Sequence, residues 1–121
     1  KSDVEAKTSP IQQKIKDVVH YINHHFDQPI RLEETASKFY ISASYLSRMF
    51  KEVTGFAFTD YVNIVRIREA QRLLRETDWS ITQISEETGF DNFSHFGKVF
   101  KKLTNVPPRD YRNQRKNAAR K

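Results

Sequence analysis

Ser44, Ser47, Arg48 and Lys51 stand at i, i+3, i+4 and i+7, the spacing that places side chains on one face of a helix. Ser94, His95, Lys98 and Lys101 form a second strip, with Phe93 directly before it. These residue types suit recognition better than bond-making. The Arg48 guanidinium is a planar fork that fits two acceptors on one guanine edge, and such a pair separates the right base from a wrong one by ~1–3 kcal/mol. Ser44 and Ser47 donate or accept and specify weakly, while Lys51, Lys98 and Lys101 are point charges suited to phosphate oxygens. Phe93 has two readings, contact with a thymine methyl or cover for the turn before it. The plain alternative for Arg48 is a solvated surface charge.

Catalysis lacks its parts. Serines are plentiful, but no nucleophile elbow or partnered base accompanies them, and three separated glycines cannot build a phosphate-cradling loop. His20 and His24 are four apart with His25 adjacent, yet the residues between them offer no glutamate for a zinc-protease motif. With no cysteine in the chain, no thiolate completes a structural metal site and no disulfide forms. No catalytic residue, metal or cofactor is expected.

The elements that must hold the two strips are helical. No stretch alternates apolar and polar residues long enough to read as a strand, whereas 3.6-residue periods recur throughout, so the fold class is all-α. Ser9, Pro10 and Gln12 read as an N-cap, a first helical position and a capping-box partner, and Ile11, Ile15, Val18, Val19, Ile22 and Phe26 as the buried side of the helix that follows. Between 44–61 and 94–111, six of eighteen positions are identical: Ser44/Ser94, Phe50/Phe100, Lys51/Lys101, Thr54/Thr104, Asp60/Asp110 and Tyr61/Tyr111. The apolar stripe Leu46, Met49, Phe50, Val53 maps onto Phe96, Val99, Phe100, Leu103. One unit occurs twice.

Each unit reads as a short helix, a tight turn and a longer helix, a helix-turn-helix arrangement. The first runs from about Leu32 to Phe39, turns through Tyr40 and Ile41, restarts at the cap Ser42 and ends at Gly55. In the second, Ser80 and Gln83 form a capping box, Ile81 and Ile84 mark a buried edge, Gly89 takes the left-handed position, and Asp91 or Asn92 caps the next helix. Pairing Ala36 with Ser85 requires one extra residue in the second turn. Between the units, about 60–77 lacks Gly and Pro, enough for a helix of ~27 Å. Its Tyr61, Ile64 and Val65 face one unit and its Ile67, Ala70 and Leu74 the other, with Arg66 among the exposed residues. Trp79 reads as a buried wedge at the entry to the second unit.

The formal net charge is +6, but the tail from Arg112 to Lys121 holds five basic residues and no acid, leaving 16 basic against 15 acidic residues before it. Bulk charge is therefore weak evidence for a polyanionic partner, and placement carries the argument. Acid sits on the short helices (Glu33, Glu34; Glu86, Glu87) and base on the long ones. Charge serving only solubility would mix on all exposed faces. No apolar run approaches the ~20 residues of a membrane span and no leader pattern opens the chain, so a cytoplasmic location is the default.

The residues Gly89–Phe90, Ser94, Phe96, "FKK" (100–102), "PP" (107–108) and "YR" (111–112) resemble the signature of the AraC-type (AraC/XylS) bacterial transcription regulators. The resemblance extends through "SYLSRMFKEVTG" (44–55), "RIREAQRLL" (66–74) and "ISEETGF" (84–90), covering roughly 10–112. It implies about seven helices, with two helix-turn-helix subdomains joined by a long linker helix. It implies sequence-specific binding of double-stranded DNA at promoters through two recognition helices in major grooves, with transcriptional regulation as the outcome. Implied partners are duplex DNA, RNA polymerase, and an upstream sensory or dimerisation domain in the full-length protein. The reading from residues alone leaves one alternative, a helical protein-interaction module whose basic faces meet an acidic partner.

The expected organisation is a linker remnant at 1–9, the first subdomain at 10–57, the linker helix at 58–78, the second subdomain at 79–112 and a basic tail at 113–121. The tail reads as disordered in the free protein, with phosphate tracking as the alternative. Two departures from the family pattern matter. Asn105 stands where the family usually has Gly, and Asn is the next most tolerant left-handed cap. Phe93 occupies a usually polar position. With Gly97 on the exposed face of the second long helix, at a cost of ~1 kcal/mol in helix propensity, these changes predict that the second unit contributes mainly phosphate contacts.

Overall fold

A computed structural model describes residues 9–120, with side chains as far as Gln114. All but one residue of the linker expected at 1–9 lies outside this range. Among the described residues there are seven helices and no strand: α1 (Pro10–His25), α2 (Leu32–Lys38), α3 (Ala43–Thr54), α4 (Phe58–Glu76), α5 (Ile81–Glu87), α6 (Phe93–Thr104) and α7 (Pro108–Arg120). The chain divides into two units. One takes the chain up to His25 together with Ile30–Val62, and the other takes Phe26–Pro29 with the chain from Asn63 on.

In the first unit, α1 begins with the predicted capping box: the Ser9 hydroxyl accepts from Gln12 N at 3.1 Å, and Gln12 Oε1 accepts from Ser9 N at 3.1 Å. Ile15, Val18 and Ile22 of α1 are fully buried, and α1 and α2 both pack on α3, whose Leu46 and Phe50 are also sealed. Each such side chain contributes roughly 1.5–3 kcal/mol by leaving water. Phe50 meets Phe58 and Tyr61, the latter at 5.6 Å between ring centres and 66° between planes.

The second unit repeats this construction. Ile67, Ala70, Leu73 and Leu74 of α4 join Ile84, Phe90, Phe96 and Phe100 in one core, against which Ile81, Val99 and Tyr111 pack. Phe100 and Tyr111 lie 5.6 Å apart at 72°, matching Phe50 and Tyr61. Thr54 and Thr104 also do the same work, each hydroxyl donating back to the carbonyl four residues earlier, Phe50 or Phe100, at 2.8 Å. Arg112 reaches the end of α4, donating to the carbonyls of Leu74 and Thr77 that the helix leaves unpaired.

Four expectations need correction. On α4 the residues buried in the first unit are Phe58 and Val62, while Tyr61, Ile64 and Val65 are half-buried; Tyr61 still meets Phe50, whereas Ile64 and Val65 fall in the second unit. Val53 and Leu103, the last positions of the two apolar stripes, emerge at 38% and 42% exposure, since nothing extends over the final turn of either helix. Trp79 is 38% exposed rather than a buried wedge, lying in the connection where its N–H reaches the Thr77 hydroxyl. Helix α7 runs on to Arg120 through most of the tail expected to be disordered, consistent with the high helix propensity of Gln, Arg, Lys and Ala there.

Arg66 also differs from its expected exposure. Its Nε donates to the Phe26 carbonyl at 2.8 Å and a terminal nitrogen to that of Gln28 at 2.9 Å, with the guanidinium 5.7 Å from the centre of the Phe90 ring. Burial lowers its pKa from the ordinary value, against the opposing charges of Asp91 and Asp27. Gly89 closes the same seam. At φ +93°, a Cβ built on it would lie 2.3 Å from the Phe26 carbonyl oxygen.

Candidate nucleic-acid interface

The two turns that aim the long helices have the same backbone. After α2, Ile41 N donates to Ala36 O and Tyr40 N to Ser37 O; after α5, Phe90 N donates to Ser85 O and Gly89 N to Glu86 O, all at 3.0–3.1 Å. This is a Schellman closure, in which one residue must be left-handed. Gly89 fills that position in the second unit and Tyr40, at φ +63°, in the first. The extra residue of the second turn is present, with five residues between α5 and α6 against four between α2 and α3. The Ser42 hydroxyl then accepts from Tyr45 N at 3.1 Å, and Asn92 Oδ1 from His95 N at 2.7 Å, so Asn92 rather than Asp91 is the cap. Gly55 and Asn105 end the two helices in the left-handed conformation at φ +83° and +72°.

All nine residues singled out by type and spacing are exposed: Ser44, Ser47, Arg48 and Lys51 on α3, and Phe93, Ser94, His95, Lys98 and Lys101 on α6. Apart from Phe93, each unit brings its own set onto the side of its helix away from Leu46 and Phe50, or Phe96 and Phe100. Phe93 is half exposed and leans on Phe96 at 6.4 Å, so it covers the start of α6 while keeping a free edge. His95 sets its ring against Phe90 at 5.8 Å. A Cβ added at Gly97 would meet nothing within 4 Å, so packing does not demand a glycine there. On the first unit, Ser44, Ser47 and Arg48 line an open groove of about 430 Å³ with Leu32, Glu33 and Ala43.

Among the described residues, ion pairs are formed only by Arg72, with Glu69 and Glu76 on its own helix. Arg48, Lys51, Lys98 and Lys101 therefore carry charge that no acid among them neutralises. Of the six identities in the repeat, Phe50/Phe100, Thr54/Thr104 and Tyr61/Tyr111 have the packing and bonding roles described above. Asp60 and Asp110 sit in the first turn of a helix, where negative charge is favoured. Ser44/Ser94 and Lys51/Lys101 are exposed in both copies; the lysines sit in the last turns of α3 and α6, where positive charge is favoured, and no packing accounts for the serines.

Two features escaped the reading from residue types. Tyr40 holds a left-handed backbone while 89% exposed, a position where Gly or Asn is the ordinary signal. Tyr45, half-buried in the first turn of α3, lies under Arg48, whose guanidinium carbon is 5.3 Å from the ring centre. Its i, i+3 spacing from Arg48 was the available signal.

A family model described as a helix-turn-helix domain matches residues 35–114. The chain belongs to the AraC-type helix-turn-helix family of DNA-binding domains. It is 40% identical over 106 residues to the regulatory protein PocR of Salmonella typhimurium, covering 88% of this chain and 35% of that protein. It is 33% identical to the transcriptional activator RhaS of Klebsiella pneumoniae, covering 95% of this chain and 41% of RhaS. The chain thus spans well under half the length of these AraC-type relatives. Among solved structures, the C-terminal domain of AraT, a response regulator from Geobacillus stearothermophilus, aligns with a TM-score of 0.84 at 34% identity, covering 90% of this chain and 88% of that one. The DNA-binding domain of AdpA, a global transcriptional factor solved with a target DNA, aligns at 0.79 and 26% identity, covering 83% and 90%. In this AraC-type chain, no helix among the described residues is long and apolar enough to cross a membrane.

Proposed function

We propose that the chain binds double-stranded promoter DNA with sequence preference, α3 and α6 serving as recognition helices in major grooves, and that it acts as a binding domain without catalysis. The carrying observation is the pair of exposed strips: cations without acidic partners beside small hydroxyls, with a serine and a lysine recurring at matching positions of both copies. Arg48 reads a base edge, Ser44 and Ser47 adjust that contact, and Lys51 and Lys101 hold phosphates. Lys98, Ser94 and His95 serve α6, which lacks an arginine and so contributes chiefly to backbone affinity. The greater length of the relatives supports a further domain in the full-length protein, sensory or dimerising in this reading, and RNA polymerase as partner and a cytoplasmic location go with the regulatory role.

The test is a titration of promoter fragments and random duplex at several salt concentrations. Phosphate contacts give a steep negative slope of log affinity against log salt. Arg48→Ala should weaken cognate binding far more than random binding, and Lys101→Ala should weaken both alike while flattening the slope by about one. Equal affinity of the parent chain for cognate and random duplex would refute the specificity.

A further inference from the structure

The geometry points to Tyr45 as the residue that positions Arg48 for base reading, an inference that rests on the role given to Arg48 above. The guanidinium carbon of Arg48 stands over the Tyr45 ring, 5.3 Å from its centre, a cation–π contact. The five N–H donors lie in the guanidinium plane and point outward from its edge. A cation–π contact draws on the charge of the whole group, so it restrains the side chain without tying a donor to an acceptor atom. Among the described residues Arg48 forms no ion pair, although Glu33 lines the same groove. Its donors stay available while the side chain is held.

Tyr45 is suited to hold it. The ring is half-buried in the first turn of α3, and the Tyr45 backbone N–H is fixed by the Ser42 hydroxyl at 3.1 Å. Arginine carries considerable rotamer freedom, which a base contact must remove. The stack removes part of it before DNA arrives, which is preorganisation. The second unit has no equivalent. His95 stands at the matching position with its ring turned against Phe90, and Lys98 has no planar face to stack. Sequence preference should accordingly be sharpest at the base pair under Arg48.

The intact chain first selects a preferred duplex from a randomised library, and a shuffled duplex is the reference. Tyr45→Leu keeps apolar bulk and removes the aromatic face. It should lower the selected-to-shuffled affinity ratio about two- to fivefold, the factor an exposed cation–π contact supplies, and leave the salt slope unchanged. Tyr45→Phe keeps the face and should preserve the ratio. On an Arg48→Ala background, Tyr45→Leu should add no further loss. A Tyr45→Phe loss as large as that of Tyr45→Leu would assign the effect to a hydroxyl contact and overturn the proposal. Equal losses on both duplexes, or an undiminished loss without Arg48, would overturn it as well. Failure of the base-reading role is distinct: Arg48→Ala alone would then leave the ratio of the parent chain unchanged, and the positioning role would fall with it.

Discussion

Replacing Arg66 with methionine should destabilise the second unit by about 2–4 kcal/mol. Methionine keeps most of the aliphatic volume, so the change isolates the guanidinium. The Nε bond to the part-buried Phe26 carbonyl is charge-assisted and worth about 1.5–3 kcal/mol. The bond to the exposed Gln28 carbonyl adds only a few tenths, because water replaces it. The stack on Phe90 adds about 0.5–1 kcal/mol. Lysine restores the charge but not the fork, and should recover less than half of the loss. Urea unfolding followed by helicity and by the fluorescence of Trp79, the only tryptophan, measures the effect in the unit concerned. A midpoint shift equivalent to less than about 0.5 kcal/mol, within the ordinary range of neutral surface changes, would show that the carbonyls are simply rehydrated and that the seam does not depend on Arg66.

Gly89→Ala should cost more than Gly55→Ala. Both backbones are left-handed, a strain of roughly 1–2 kcal/mol for alanine, but only at Gly89 would the new Cβ collide with a carbonyl, Phe26 O at 2.3 Å, while Gly55 has open space; equal unfolding free energies for the two variants would refute the collision. Gly97→Ala should stabilise α6 by about 0.5–1 kcal/mol, since nothing lies within 4 Å of its Cβ position, and a thermal midpoint that fails to rise would contradict the open space. Tyr40→Gly should raise stability by about 0.5–1 kcal/mol by relieving a left-handed tyrosine whose side chain is 89% exposed; a measurable loss in denaturant unfolding would reveal contacts for the ring.

The fold was legible where local rules act in concert. Caps at Ser9, Ser42 and Ser80, left-handed residues at Gly55, Gly89 and Asn105, and the doubled Phe–Thr–Tyr pattern each declare themselves in residue type and spacing, while the choice of Asn92 over Asp91 needed the structure. The exposed strips were legible for the same reason, as positions opposite an apolar stripe. Part of what escaped depended on partners distant in sequence. Arg66 reads as a surface charge on a helix until the carbonyls forty residues earlier are placed beside it. Val53, Leu103 and Trp79 read as buried because apolar character is visible in a sequence, whereas the end of the surface covering them is not. Tyr40 was hidden because an aromatic residue gives no sign of a left-handed backbone, which only the repeat of the Gly89 turn reveals.

The grip of Arg66 and Gly89 on Phe26–Pro29 limits how this gene can be rearranged. That tetrapeptide belongs to the second unit, although it is encoded ahead of the whole first helix-turn-helix. A fragment beginning within α4 would carry the trailing copy without the length of chain it clasps, leaving the Arg66 guanidinium without the carbonyls of Phe26 and Gln28. The trailing helix-turn-helix therefore cannot be cut out alone with its seam intact, although a stretch of other sequence could serve it, because the partners of Arg66 and Gly89 are main-chain atoms.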